Sequence, residues 1–224
     1  MTTTTIEGTT VQTWPVLTLP LAAFSDLVTA AAVSVGKDNT LPVLTGIRVE
    51  WEQRTVRMVS TDRYRLVRAE YTLGPVAPAF TDSNEVISTL VPAADLVAFV
   101  KALPKPGKYA KSPFSVVISL HDDEVRLSCS TWDGDISRSV RLLDGDFPKY
   151  QSLIPTEFAG LDGDGIGVNP KYLADVAKMP LVKKESPVRV RFTASGRPMV
   201  WEPTTPLDSG VTWLYLLMPV RIGA

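Results

Sequence analysis

The stretch that decides the fold is Val86-Ile-Ser-Thr-Leu-Val-Pro92-Ala-Ala-Asp-Leu-Val-Ala-Phe-Val-Lys-Ala-Leu103. A short apolar run rich in β-branched residues enters a proline, and the period then changes. Leu96, Phe99, Val100 and Leu103 recur at i, i+3, i+4 and i+7, the stripe of a helix with one buried face. Proline suits the junction because the first amides of a helix have no intrahelical acceptor to lose. Three β-rich segments follow, over 115–120, 124–130 and 136–142. The unit therefore reads strand, helix, three strands.

The same unit lies on either side. Upstream, Trp14-Pro15-Val16-Leu17-Thr18-Leu19-Pro20 enters a helix with Phe24, Leu27, Val28 and Ala31 on one face, and strands are expected over 44–51, 55–60 and 65–73. Downstream, residues 165–168 lead to Asn169, a good N-cap, and to Pro170 in the first turn. Tyr172, Leu173, Val176 and Ala177 are expected to face inward there, with strands over 188–192, 198–201 and 211–218. Pro20, Pro92 and Pro170 hold the same place in each unit. Turn-rich stretches over 74–84 and 155–164 separate the units. Such repetition is diagnostic of architecture, and the expected class is α+β with three repeated units. Residues 14–155 are expected to form one complete domain from units 14–73 and 85–155, and 156–224 a partial domain of one unit. Residues 1–13, rich in threonine, are expected to be a frayed polar lead-in.

Hydrophobic residues make up 45% of the 224-residue chain and charged residues 21%, a balance that supports a buried core and excludes wholesale disorder. Cys129 is the single cysteine, which excludes an intrachain disulfide and suits a reducing cytoplasm. The start has neither a basic region nor an apolar run, and no stretch is long enough to span a bilayer. The expected location is cytoplasmic, with no membrane partner. A formal net charge of −1 and a pI of about 5.9 argue against a tight grip on nucleic acid. They leave room for a local basic face.

No catalytic constellation emerges. His121, the one histidine, sits beside Asp122, Asp123 and Glu124 in what reads as a hairpin turn, with no nucleophile nominated for it. Gly163-Asp164-Gly165-Ile166-Gly167 leads into a strand, whereas a dinucleotide fingerprint opens a helix. The same stretch lacks a glutamate at the twelfth position of a calcium loop, where Leu173 stands. No cofactor and no metal site is expected. What stands out instead is lysine. Lys171 and Lys178 lie in line on the polar side of the third helix, Lys101 ends the second, and Lys105, Lys108, Lys183 and Lys184 follow the two helices. Charge segregated in this way, in a chain without net positive charge, points to loose contact with duplex DNA.

Four local motifs complete the reading. These are Leu44-Thr45-Gly46; Ser60-Thr61-Asp62-Arg63-Tyr64-Arg65-Leu66; Asp144-Gly145-Asp146-Phe147-Pro148-Lys149-Tyr150 with Leu153-Ile154-Pro155; and Leu216-Leu217-Met218-Pro219-Val220-Arg221-Ile222. In their order and spacing across Leu17 to Ile222 the chain resembles the β subunit of bacterial DNA polymerase III, the sliding clamps, as a shortened, phage- or element-encoded relative. The resemblance implies the DNA-clamp fold, helices lining a ring with sheets outside, and a processivity factor rather than an enzyme. It implies duplex DNA, a clamp loader, and a polymerase or other protein carrying a clamp-binding peptide as partners. The positions it assigns to the peptide are Leu44, Thr61, Arg63, Tyr64, Arg65, Leu66, Pro148, Leu153, Leu216, Met218, Pro219, Val220 and Arg221. Arg63-Tyr64 and Lys149 depart from the family pattern, which has Gly-His and Asp there.

Counted against a ring of about twelve half-domain units, three units per chain lead to an expected homotetramer, favoured over a trimer or dimer. In that scheme the second and third units pair through sheets. A rival expectation is a clamp-like module that captures clamp-binding peptides, or interferes with a host clamp, without encircling DNA.

Overall fold

The computed structural model describes the backbone of residues 2–6 and 9–13, and residues 15–74, 86–104, 113–158, 166–181, 184–193 and 196–220 in full. In chain order the elements are β1 (Thr2–Ile6), β2 (Thr9–Thr13), β3 (Val16–Pro20), α1 (Leu21–Ala31), β4 (Gly46–Glu52), β5 (Thr55–Thr61) and β6 (Arg65–Thr72). The second unit supplies β7 (Ile87–Pro92), α2 (Ala93–Ala102), β8 (Ser115–Leu120), β9 (Glu124–Thr131) and β10 (Gly134–Arg141). The third supplies α3 (Pro170–Asp175), β11 (Val188–Arg191), β12 (Met199–Pro203) and β13 (Thr212–Leu217).

The first two units are welded by exchanging their leading strands. β3 pairs with β8, giving the order β10-β9-β8-β3, and β7 pairs with β4. β6, the strand left at the open side of the first unit, then pairs with β13 in register Leu66↔Leu216 and Val67↔Tyr215. The result is a seven-stranded antiparallel sheet, β11-β12-β13-β6-β5-β4-β7. The third unit thus joins the first, and the expected sheet pairing of the second and third units is corrected. The reason lies in the two candidate edges. β6 has apolar Leu66, Val67 and Ala69 buried on alternating faces, as an interior strand requires, whereas β10 buries only Val140.

Helices α1 and α2 cover the inner faces of both sheets and meet edge to face through Phe24 and Phe99, with centroids 5.9 Å apart. Phe24, Leu27, Val28 and Ala31 are buried as their spacing predicts. The outer face of the large sheet carries Val59, Leu66, Leu90, Val200 and Leu216 and is closed by a strap over 142–154, which inserts Phe147 and Tyr150. The Leu143 amide donates to the Leu90 carbonyl at 2.9 Å. Tyr150 donates its hydroxyl to buried Glu50 at 2.6 Å, and Arg48 Nε lies 2.5 Å from the other Glu50 oxygen. Gly145 turns the strap at φ +120°, where a Cβ would come within 2.7 Å of Val43.

Two further expectations are corrected. Residues Thr2–Ile6 and Thr9–Thr13 pair as an antiparallel hairpin instead of fraying, as β-branched threonine permits. In the third unit, Asn169 caps its helix by accepting from the Lys171 amide at 3.0 Å, but α3 is only six residues long before a 3₁₀ turn. Leu173 and Ala177 are exposed, whereas half-buried Tyr172 and buried Asp175, Val176 and Met179 form the inward i, i+3, i+4, i+7 face, which Asp175 can join because it pairs with Arg65.

Candidate peptide-binding groove

The turn between β5 and β6 is built by its own polar side chains. Asp62 Oδ1 accepts from the amides of Tyr64 and Arg65, both at 3.1 Å. Thr61 Oγ1 donates to the Arg65 carbonyl at 2.8 Å and accepts from the Arg63 amide at 3.2 Å. These bonds hold Arg63 at φ +79°, in the left-handed region. The turn consequently sends Tyr64 outward, 55% exposed, and folds Arg65 inward.

Arg65 is the anchor. Its Nε donates to Asp62 at 2.9 Å, its Nη1 donates to Asp175 at the end of α3, and its guanidinium lies 4.8 Å from the Tyr172 ring centroid. Two carboxylates and an aromatic face thus offset its loss of water. Tyr64 stacks on the same ring from outside, 6.0 Å away at 20°. The Tyr215 hydroxyl, buried beneath, donates to the Tyr172 carbonyl at 2.8 Å, and burial pushes its pKa up to about 12, which keeps the donor protonated. Tyr172 is therefore fixed through its backbone, its ring face and its neighbour.

Between this turn, α3, and the segment that follows α1 lies an open groove of about 750 Å³. Leu44, Tyr64 and Tyr172 supply apolar and aromatic surface, and Arg63, Lys171 and Lys178 supply positive charge at its margins. The segment that follows β13 is tied to this turn and to the residues before α3. The Met218 amide donates to the Tyr64 carbonyl at 2.9 Å, and the Val220 amide to the Gly167 carbonyl at 2.9 Å.

Leu44, Arg63, Tyr64 and Arg65 line the groove, and Thr61 shapes it. Met218 and Val220 are 40% and 47% exposed beside them, and Pro219 is half-buried. Pro148 and Leu153 are exposed on the strap. Leu66 and Leu216 face each other on paired strands, each 3% exposed under Phe147 and Tyr150, and so serve the core. Arg221 lies outside the described residues. Of the lysines, Lys101, Lys171, Lys178 and Lys184 are exposed, with Lys178 paired to Asp175, and Lys105, Lys108 and Lys183 lie outside the described residues.

Sequence reasoning placed Tyr172 in the core and passed over Asp62 and Asp175. Asp62 carries a local signal, an aspartate followed by amides two and three residues on. Asp175 carries none, because Arg65 is 110 residues away. Among the described residues no group of three or more His, Cys, Asp or Glu could hold a metal, and no helix is long and apolar enough to cross a membrane.

Over residues 18–149 the chain matches the family described as DNA polymerase III beta subunit, central domain. It is 34% identical over 177 residues to the beta sliding clamp of Streptomyces coelicolor, covering 78% of this chain and 43% of that protein. It is 35% identical over 172 residues to the beta sliding clamp homolog GriR of Streptomyces muensis, covering 76% and 41%. The chain thus spans about two fifths of these relatives, 43% and 41% of their lengths. The crystal structure of the Pseudomonas aeruginosa DNA polymerase sliding clamp superposes with a TM-score of 0.72 at 17% identity, over 93% of this chain and 66% of that one. That likeness shows an α+β clamp fold.

Proposed function

The chain belongs to the DNA polymerase III beta-subunit family, and from that premise we propose that it acts as a sliding clamp, a non-catalytic processivity factor that encircles duplex DNA and tethers a polymerase through a short peptide. The observation that carries the reading is the aromatic shelf of Tyr64 on Tyr172, exposed at the junction of the first and third units. Its underside is locked by Arg65, and its rim is basic. A pre-organised aromatic surface of this kind suits a peptide with a hydrophobic or aromatic end, since little ordering entropy is lost on binding. Met218 and Val220 extend the apolar surface. Lys101, Lys171, Lys178 and Lys184 would meet phosphates, which positions DNA without reading its sequence. A clamp loader is the further partner, and copies of the chain, four in the assembly favoured here, would close the ring.

The test is fluorescence anisotropy with a labelled clamp-binding peptide. Tyr64→Ala is expected to weaken binding about tenfold or more, as for an aromatic anchor. Unchanged affinity would place the site elsewhere. Leu66→Ala is not an equivalent probe, because it opens a cavity in the core. Solution mass separates the ring from the rival reading, a module that captures clamp-binding peptides without encircling DNA. Stable monomers at micromolar concentration would favour the module.

A further inference from the structure

The groove beside the Tyr64–Tyr172 shelf carries an unbalanced charge. Asp38, Asp62 and Asp175 line it, and each is already engaged. Asp62 accepts from the Tyr64 and Arg65 amides and from the Arg65 guanidinium. Asp175 is shared by Arg65 and Lys178. Asp38 Oδ1 accepts from the Thr40 amide at 2.9 Å and from the Thr40 hydroxyl at 2.6 Å. These bonds hold the Asp38 carboxyl below its ordinary pKa, and the charge of Arg63 adds to them more weakly. Lys37, Arg63 and Lys171 remain. All three line the groove, all are exposed, and none takes part in an ion pair recorded among the described residues.

Two of these cations are set against the aromatic rings. Arg63 directly precedes Tyr64 and Lys171 directly precedes Tyr172, so each ring of the stacked pair has a cation beside it in the chain. Both backbones are fixed. The Thr61 and Asp62 side chains hold the turn that carries Arg63, and the Lys171 amide donates to Asn169 Oδ1 at 3.0 Å. Arg63 stands where the family pattern has glycine, so this charge belongs to the chain itself. In a chain of net charge −1, three cations without carboxylate partners around one aromatic surface make a local positive field. A neutral peptide on the shelf gains nothing from that field. A carboxylate beside the peptide's hydrophobic end meets it where bound peptide excludes water and the attraction strengthens. Leu44 in the groove and the half-exposed Met218 and Val220 beside it favour a peptide over a nucleic acid, because bases and phosphates would leave that apolar surface uncovered.

We propose that the groove selects peptides in which acidic residues flank the hydrophobic end, with Arg63 and Lys171 as the specificity-determining contacts and Lys37 in support. The inference rests on the peptide-binding reading of the groove and adds the charge of its partner.

Fluorescence anisotropy on the full chain, without DNA, tests it with two labelled peptides. Both end in leucine and phenylalanine with blocked termini, and they differ only in having two aspartates or two asparagines before that end. The aspartate peptide is expected to bind about fivefold tighter in about 0.01 M salt. The ratio is expected to fall towards one in about 1 M salt, where the screening length is about 3 Å. In the double variant Arg63→Gly, Lys171→Gln both affinities are free to move, but the ratio at low salt is expected to drop below about twofold. Both positions are exposed, and thermal melts check the fold. Should the double variant fail to fold, the salt dependence of the parent's ratio decides alone. Equal affinities at low salt, a ratio that salt does not change, or a folded double variant that keeps the parent's ratio would overturn the selectivity and leave the groove reading standing. Binding of neither peptide would overturn the groove reading and the selectivity with it. A thymidine oligonucleotide that displaces the aspartate peptide at comparable concentration would assign these cations to phosphate and overturn the proposal.

Discussion

Arg63 sits where a side chain is least comfortable. At φ +79° its Cβ crowds its own backbone, a cost of about 1–3 kcal/mol for a residue other than glycine. The Asp62 and Thr61 side chains impose that conformation, and in return the turn presents a positive charge beside Tyr64. Arg63→Gly should raise stability by roughly 1 kcal/mol, seen as a higher urea midpoint at unchanged slope. A lower midpoint would mean that the Arg63 side chain contributes more than its backbone costs. Arg65 presents the opposite case. Arg65→Met leaves Asp62 and Asp175 facing each other near a buried tyrosine, and should cost about 3–5 kcal/mol. Both residues were visible in the sequence as peptide positions that the family resemblance implies. Their roles were not, because Asp175 comes from another unit and only the fold brings it under Tyr172.

At the scale of elements, helical stripes were the most legible feature. α1 buries every residue its spacing names, and α2 buries Leu96 and Phe99, with Val100 partly exposed and Leu103 buried just past its end, since each helix is long enough for a period of 3.6 to be legible. α3 is one and a half turns, and there the same argument put Leu173 and Ala177 on the wrong side. The strap was legible as a motif but not as a lid. Nothing local shows that Phe147 and Tyr150 close a second core over Leu66 and Leu216. That packing predicts a clear loss on shortening Leu66: Leu66→Ala should cost about 2–5 kcal/mol in chemical denaturation. An effect below 1 kcal/mol would show that the strap does not close over it. On α1, burial raises the pKa of Asp26 more than the Ser209 hydroxyl donating to it at 2.7 Å lowers it. A carboxyl raised on folding favours the folded state below the ordinary carboxylate range and loses that advantage as pH rises through its folded value. Asp26→Asn should therefore raise Tm at pH 7, with the gain vanishing in acid. A lower Tm at pH 7 would show that the Ser209 bond to the charged form dominates.

For the molecule as a whole, the threefold repeat was written in the sequence, yet the way the units join was not. Repeats specify strands and helices, whereas edge pairing depends on which strand is apolar on both faces, and β6 meets that condition where β10 does not. Charge poses a related question. The chain carries a formal net charge of −1, so any hold on duplex DNA must come from a few lysines set against an unfavourable overall field. Lys101 and Lys171 are exposed and take part in no ion pair recorded among the described residues, while Lys178 is shared with Asp175. Binding that rests on phosphate contacts weakens linearly on a log–log plot against salt, by about 0.9 in slope for each contact. Anisotropy of a labelled duplex across a salt series should show a shallow slope for the parent. Lys101→Glu and Lys171→Glu should each flatten it by about 0.9. Lys178→Glu should flatten it less, because that ammonium already has a carboxylate. Equal slopes in all variants would move the DNA contact off these helices, and a steeper slope for Lys178→Glu would contradict the assignment of its charge to Asp175.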